Sequence, residues 1–201
     1  MSDAVLDSLM PLLEGGNLQQ IAGQLGISQE QAGTAVTAAV PLLEGAMQRN
    51  AATPTGLDSL AGALDRDHDG SILDDIGGFL GGGGSGGAGA GILGHVLGGR
   101  QGNVASSLGK STGLDAGSVM QLLAMLAPLV LGMLGRNQRQ QGLDIGGLTD
   151  LLGGERRAVE QKAPGAADLI GGLLDSDGDG SVTDDLAKLG GGLLGGLFGG
   201  K

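Results

Sequence analysis

The sequence predicts an all-α chain built as two related small helical modules, each followed by a helix, an acidic loop and a second helix, with a glycine-rich linker between them. Three observations lead there. Apolar residues recur at the three- and four-residue spacing of amphipathic helices, cap and stop residues sit where such helices begin and end, and the pattern of the first module returns in the second. With 45 glycines and 1% aromatic residues in 201, the core is expected to be Leu, Ile, Val, Met and Ala, with helices packed close together.

Residues 3–13 carry Val5, Leu6, Leu9, Met10, Leu12 and Leu13, a helical stripe that Gly15 and Gly16 end. A short helix is expected from Asn17, with Leu18, Ile21, Ala22 and Leu25 on its inner face and Gly26 as its break. Ser28 and Gln31 form a capping box for a longer helix running to Arg49. The same order recurs from Asn103: a short helix, Gly113 as break, Asp115 as cap, then a helix over 119–136. Gly26 and Pro41 stand fifteen residues apart, as do Gly113 and Pro128, and each proline precedes an Arg-Asn pair by eight residues (Arg49-Asn50, Arg136-Asn137). Proline inside a helix costs about 3 kcal/mol, so the repeat of its position predicts a bend that both modules use.

Helices over 57–64 and 166–174 lead into the acidic loops. Module one spans 1–80 and module two spans 92–201, the latter with an insertion at 138–163 that holds an extra Gly-rich helix from 143 and a polar connector. Residues 81–91 are almost all glycine and predict a flexible tether, because ordering such a run costs backbone entropy. Residues 190–200 alternate glycine pairs with Leu or Phe, a pattern that suits close helix packing, a frayed tail or contact with lipid, and the same alternatives apply to 92–97.

The chemistry lies in two stretches, DRDHDGSILDD at 65–75 and DSDGDGSVTDD at 175–185. Five aspartates within eleven residues repel one another by about 4 kcal/mol per pair at 4 Å and an effective dielectric near 20, so a compact loop needs a cation. In the order of an EF-hand, Asp65, Asp67 and Asp69 offer side-chain oxygens, Gly70 the sharp turn and Ser71 a backbone carbonyl; Asp175, Asp177, Asp179, Gly180 and Ser181 repeat them. The glutamate that closes an EF-hand at position twelve is replaced by Ile76 and Leu186. Closure falls instead to Asp74 or Asp75, and to Asp184 or Asp185, a shortened spacing that resembles the calcium loops of Excalibur-type domains. The plain alternative is an exposed Asp-Gly turn whose acids favour a following helix N-terminus. Two copies that keep the ligand types while the filler changes, Arg66 to Ser176 and His68 to Gly178, favour the metal. Calcium fits better than magnesium, which tolerates irregular oxygen cages poorly, and the second loop, without Arg66 and His68, is expected to bind more tightly.

Other functions are disfavoured. The net charge of -11 divides unevenly: ten of the 22 acids lie in the two loops, so the remainder is nearly neutral. Residues 21–36 resemble a helix-turn-helix, yet no Lys or Arg occurs before Arg49 to attract phosphate, and nucleic acid is not expected as a partner. With no cysteine, an isolated His95, His68 as a filler inside the first loop and no phosphate loop, no catalytic set emerges and an enzyme is not expected. The N-terminus opens with acids where an export signal has basic residues, which points by default to the cytoplasm, with an unconventional route outward left open. The apolar stretch 119–134 contains Gln121 and Pro128 and reads as a buried core helix.

Four segments, IAGQLGIS and VPLLEGAMQRN in the first module and TGLDAGSV and LAPLVLGMLGRN in the second, resemble the YidB-like bacterial domain of unknown function (nine-three-seven in the usual series). The resemblance covers most of residues 1–140 and the acidic loops that commonly follow. It implies a small all-helical bacterial protein and transfers no catalytic residue. The resulting expectation is a structural or interaction protein that takes up to two calcium ions, with a protein partner or a second copy possible. The alternative is a peripheral membrane or assembly factor acting through the Gly/Leu runs.

Overall fold

The computed structural model describes residues 5–66, 70–82 and 87–142. Within them the chain forms eight α-helices, α1 (Val5–Leu13), α2 (Gly16–Leu25), α3 (Gln29–Ala51), α4 (Pro54–Arg66), α5 (Ile76–Gly81), α6 (Gly87–Leu97), α7 (Gln101–Thr112) and α8 (Ala116–Gln141). Two 3₁₀ turns, Ser71–Asp74 and Gly98–Arg100, complete the described structure, which contains no strand. The all-helical class read from the sequence therefore holds for these residues.

Local chemistry sets the helix ends where expected. The Ser28 hydroxyl accepts from the Gln31 amide at 3.1 Å while the Gln31 side chain accepts from the Ser28 amide at 3.1 Å, so the capping box is closed in both directions. Upstream, α2 stops at Gly26 in the left-handed conformation, and the Ile27 amide reaches back to the Ala22 carbonyl at 3.0 Å as in a Schellman stop. Asp115 caps α8: Oδ1 accepts from the amides of Gly117 and Ser118 at 2.9 and 3.1 Å, and Oδ2 accepts from the Ser118 hydroxyl at 2.6 Å. Helices α4, α7 and α8 run longer than the sequence pattern suggested, because their outer turns are polar and leave no apolar mark. α3 and α8 both continue as helix past Pro41 and Pro128.

The architecture is organised on α3 and α8, which pack against each other; α1, α2, α4, α6 and α7 each touch both. α5 instead rests on α2, where the Gln24 side-chain amide donates to the Leu80 carbonyl at 2.8 Å. Residues 39–47 of α3 and 122–135 of α8 are buried at every position, so these segments have no solvent-facing side. One continuous apolar core joins Leu9, Ile21, Leu43 and Leu64 to Leu93, Leu108, Leu122 and Leu123, and so crosses the boundary drawn at the glycine run. Each such side chain contributes roughly 1.5–3 kcal/mol when fully buried. By length and composition α8 could cross a membrane; here 78% of its most apolar window is buried inside the protein, as expected of a core helix.

The tether expected at 81–91 needs correction. Gly81 ends α5 and residues 87–91 are the first turns of α6, while 83–86 lie outside the described residues. The physical reason is a close approach between helices. Pro128 has no N–H to donate to the Ala124 carbonyl four residues earlier, and α6 lays Gly89 directly against that carbonyl, where any Cβ would collide with the Ala124 backbone. Gly89 is therefore a packing residue, and its burial offsets backbone entropy that a free chain would keep. Among the described residues the buried charged side chain is Glu44, 3% exposed, at the step after Pro41 where the α8 pattern has Leu131 after Pro128.

Two outcomes test this packing. Gly89→Ala is expected to destabilise the fold by about 1–3 kcal/mol through the backbone collision, whereas Gly94→Ala on the same helix, with open space around it, is expected to stabilise by about 0.5–1 kcal/mol in urea unfolding. The Ser118 hydroxyl and amide, with the Gly117 amide, hold the Asp115 carboxyl below its ordinary value of 3.8. A carboxyl lowered by folding adds stability above its unfolded value and loses it as pH falls through the folded one. Asp115→Asn is accordingly expected to flatten the acid limb of a melting-temperature profile while leaving its shape near neutrality unchanged.

Candidate metal centre

The first acidic loop leaves the last turn of α4, which carries Asp65, and its exit is the described part: Gly70, the turn Ser71–Asp74, and Asp75 at the head of α5. Asp67, His68 and Asp69 lie outside the described residues. So do Asp175, Asp177, Asp179, Ser181, Asp184 and Asp185 of the second loop, with all of 143–201. Among the described residues no three acidic or histidine side chains gather round a common point.

Gly70 adopts φ 87 and ψ -3, a left-handed turn that a side chain disfavours. This is the position where the loop pattern expects a sharp turn. A second constraint reinforces it. Gly70 is buried against α8, and a Cβ added to it would lie 3.0 Å from the Arg136 Cβ and 3.1 Å from the Gly132 carbonyl. From Gly70 the chain tightens into the 3₁₀ turn, closed by the Leu73 amide donating to the Gly70 carbonyl at 3.1 Å, and buried Leu73 and Ile76 fix that turn to the core.

The loop is held on α8 by two arginines one turn apart. Arg136 donates through Nη2 to the Gly70 carbonyl at 3.0 Å and to Asp74 Oδ1 at 2.6 Å, while Arg139 reaches the Leu64 carbonyl near the end of α4 at 3.4 Å. A cation near the last carbonyls of α4 is also favoured by the helix dipole. The Asp74–Arg136 pair is partly exposed, with side chains 31% (Arg136) and 74% (Asp74) accessible, so it contributes about 1 kcal/mol at most and acts chiefly in placing the turn.

Of the two acids proposed to close the loop, Asp74 is paired to Arg136, and Asp75 caps α5, its Oδ1 accepting from the Gly78 amide at 2.8 Å. The exit side thus presents only oxygen donors, the Gly70 carbonyl, Ser71, Asp74 and Asp75, the donor type a hard cation takes. Two of these oxygens already accept from a guanidinium. Sequence reasoning used Arg136 as a marker of the repeat and missed its role as the loop's counter-charge. The signal was present: an acidic turn needs positive charge close by, and Arg136 and Arg139 stand at the end of the longest apolar helix. His95, set aside as an ordinary residue, lies exposed on α6 with Nδ1 3.1 Å from the Gly91 carbonyl.

Among known families, the one described as bacterial protein of unknown function (DUF937) matches residues 7–137, from α1 into the last turns of α8. Neither a curated protein nor a solved structure matches the chain.

Gly70→Ala is expected to cost about 2 kcal/mol or more, combining left-handed strain with displacement of Arg136. Arg136→Met is expected to cost less in global stability but to raise amide hydrogen exchange across 70–75 selectively, as followed by mass spectrometry.

Proposed function

The chain belongs to the DUF937 family of bacterial proteins of unknown function, and on that premise we propose that it is a calcium-binding structural or interaction protein rather than an enzyme. In this reading the loops at 65–75 and 175–185 each take one calcium ion, and the helices flanking them are docked as the loops order. The observation that supports it is Gly70, whose left-handed turn is the backbone conformation that a D-x-D-x-D-G loop needs at its sixth position. The chemistry calcium supplies is neutralisation of carboxylates that otherwise repel.

The protein's own groups supply the rest. Asp65, Asp67, Asp69 and the Ser71 carbonyl form the first set of donors, with closure from Asp74 or Asp75; Asp175, Asp177, Asp179, Ser181 and Asp184 or Asp185 form the second. Arg136 ties the first loop to the central helix and so couples the state of the loop to the helical body. The two runs α2–α3 and α7–α8, each with a left-handed glycine, a side-chain cap and a buried proline, are read as related modules that share one core. The partner of such a protein would be another protein or a second copy of the chain.

Thermal melting of the full chain in calcium, in magnesium and in chelator tests the proposal. Ligand at a hundred times its dissociation constant stabilises by about 2.7 kcal/mol, so calcium is expected to raise the melting temperature by several degrees, and magnesium by less. Calorimetric titration is expected to give two sites, reduced to one in Asp65→Asn/Asp69→Asn and to one in Asp175→Asn/Asp179→Asn. An unchanged melting temperature at millimolar calcium would rule the reading out.

A further inference from the structure

The face of α8 that receives the first acidic loop has a counterpart on α3. On α8, Gly132 makes room for Gly70 and Ile72, and Arg136, one helical turn further and so on the same face, donates to the Gly70 carbonyl and to Asp74. On α3, Pro41, Gly45 and Arg49 stand at the same four-residue steps as Pro128, Gly132 and Arg136. Both sets are counted from matching starts: Gly26 and Gly113 are left-handed, Ser28 and Asp115 are extended N-caps, and nineteen residues lead from each of these glycines to Gly45 or Gly132. Gly45 is buried as Gly132 is, and Arg49, like Arg136, is engaged within the protein.

The loop side of the contact is repeated as well. The exits read GSILDDI at 70–76 and GSVTDDL at 180–186, so the glycine, the β-branched residue and the carboxylate that meet α8 recur as Gly180, Val182 and Asp184. Charge fits the pairing, since Arg49 is the one Lys or Arg in residues 1–64 and stands where α8 holds an acidic turn. The chain also has the reach. Gly70 follows the end of α3 by nineteen residues, through α4, which lies against both long helices, and lands on α8; Gly180 follows the end of α8 by thirty-nine, enough for the reciprocal crossing onto α3.

We propose that the face of α3 carrying Gly45 and Arg49 is the docking site of this chain's own second acidic loop, with Gly180 laid against Gly45 and Arg49 donating to the Gly180 carbonyl and to Asp184. This rests on the reading of α2–α3 and α7–α8 as related modules, and not on the presence of an ion. Each loop is then fastened to the long helix of the other half, so the order of either loop is felt by the opposite half. Buried Leu73 becomes Thr183, which leaves Leu186, in place of Ile76, as the second turn's apolar anchor and gives Arg49 a larger share of the docking. The match stops there. Gln24 and Leu80, which join α2 to α5, become Ser111 and Gly190, so the residues after 186 are not included.

Zero-length carbodiimide cross-linking of the full chain, read by peptide mass spectrometry in calcium and again in chelator, tests the docking. Arg136→Lys is expected to join position 136 to Asp74, the pair seen at 2.6 Å, and Arg49→Lys to join position 49 to Asp184, within one chain when ¹⁴N- and ¹⁵N-labelled proteins are mixed. Arg49→Met is expected to raise amide exchange over 180–186 by about fivefold or more and to leave 70–75 unchanged, with Arg136→Met doing the reverse. A link from position 49 to neither Asp184 nor Asp185, a link formed only between chains, or exchange over 180–186 that ignores Arg49→Met overturns the docking. Melting that is insensitive to calcium while the link from 49 to 184 forms removes the ion and keeps the dock; loss of that link alone leaves the calcium reading standing.

Discussion

The packing of α3 against α8 is the constraint on which the rest of the fold depends. A central stretch of each helix, 39–47 of α3 and 122–135 of α8, is buried on all sides, which requires backbone hydrogen bonds satisfied within the helix and a jacket of other helices around the pair. With two phenylalanines and no tyrosine or tryptophan in the chain, that jacket cannot come from large side chains. It comes from the close approach of many short helices whose contact residues are Gly, Ala and Leu. Glycine serves that packing at Gly89, Gly109 and Gly132, where an added Cβ would run into a neighbouring segment.

Pro128 shows how this works at a single point. By removing one donor it leaves the Ala124 carbonyl without its helical partner, and the neighbouring helix answers with Gly89, whose missing side chain lets backbone meet backbone. A position that costs energy within α8 thereby becomes the place where α6 fits. The first acidic loop follows the same logic: Gly70 is accommodated on α8 beside Gly132, where an added Cβ would lie 2.7 Å from the Ile72 Cγ2.

Much of this was legible in the sequence. Periodicity and capping chemistry placed α1, α2, α3, α7 and α8, since Ser28, Gln31, Gly26, Gly113 and Asp115 act through bonds to residues a few positions away. The start of α6 at 87–91 was misread because its packing depends on a carbonyl some 35 residues beyond Gly89, which no local pattern records. Arg136 and Arg139 were missed for a related reason: the first contacts the loop and the second the end of α4, each across more than sixty residues of chain.

The clamp formed by Arg136 and Arg139 has a consequence for how the protein comes into being. Leu64, the loop's upstream anchor, is separated from Arg139 by 75 positions, and Asp74 from Arg136 by 62. At about 5–20 residues per second, the ribosome takes roughly 4–15 s to make the intervening chain. For that interval Asp74 and the Leu64 carbonyl leave the exit tunnel before the two arginines that will later hold them are made, so these two points are fastened only when the last turns of α8 emerge.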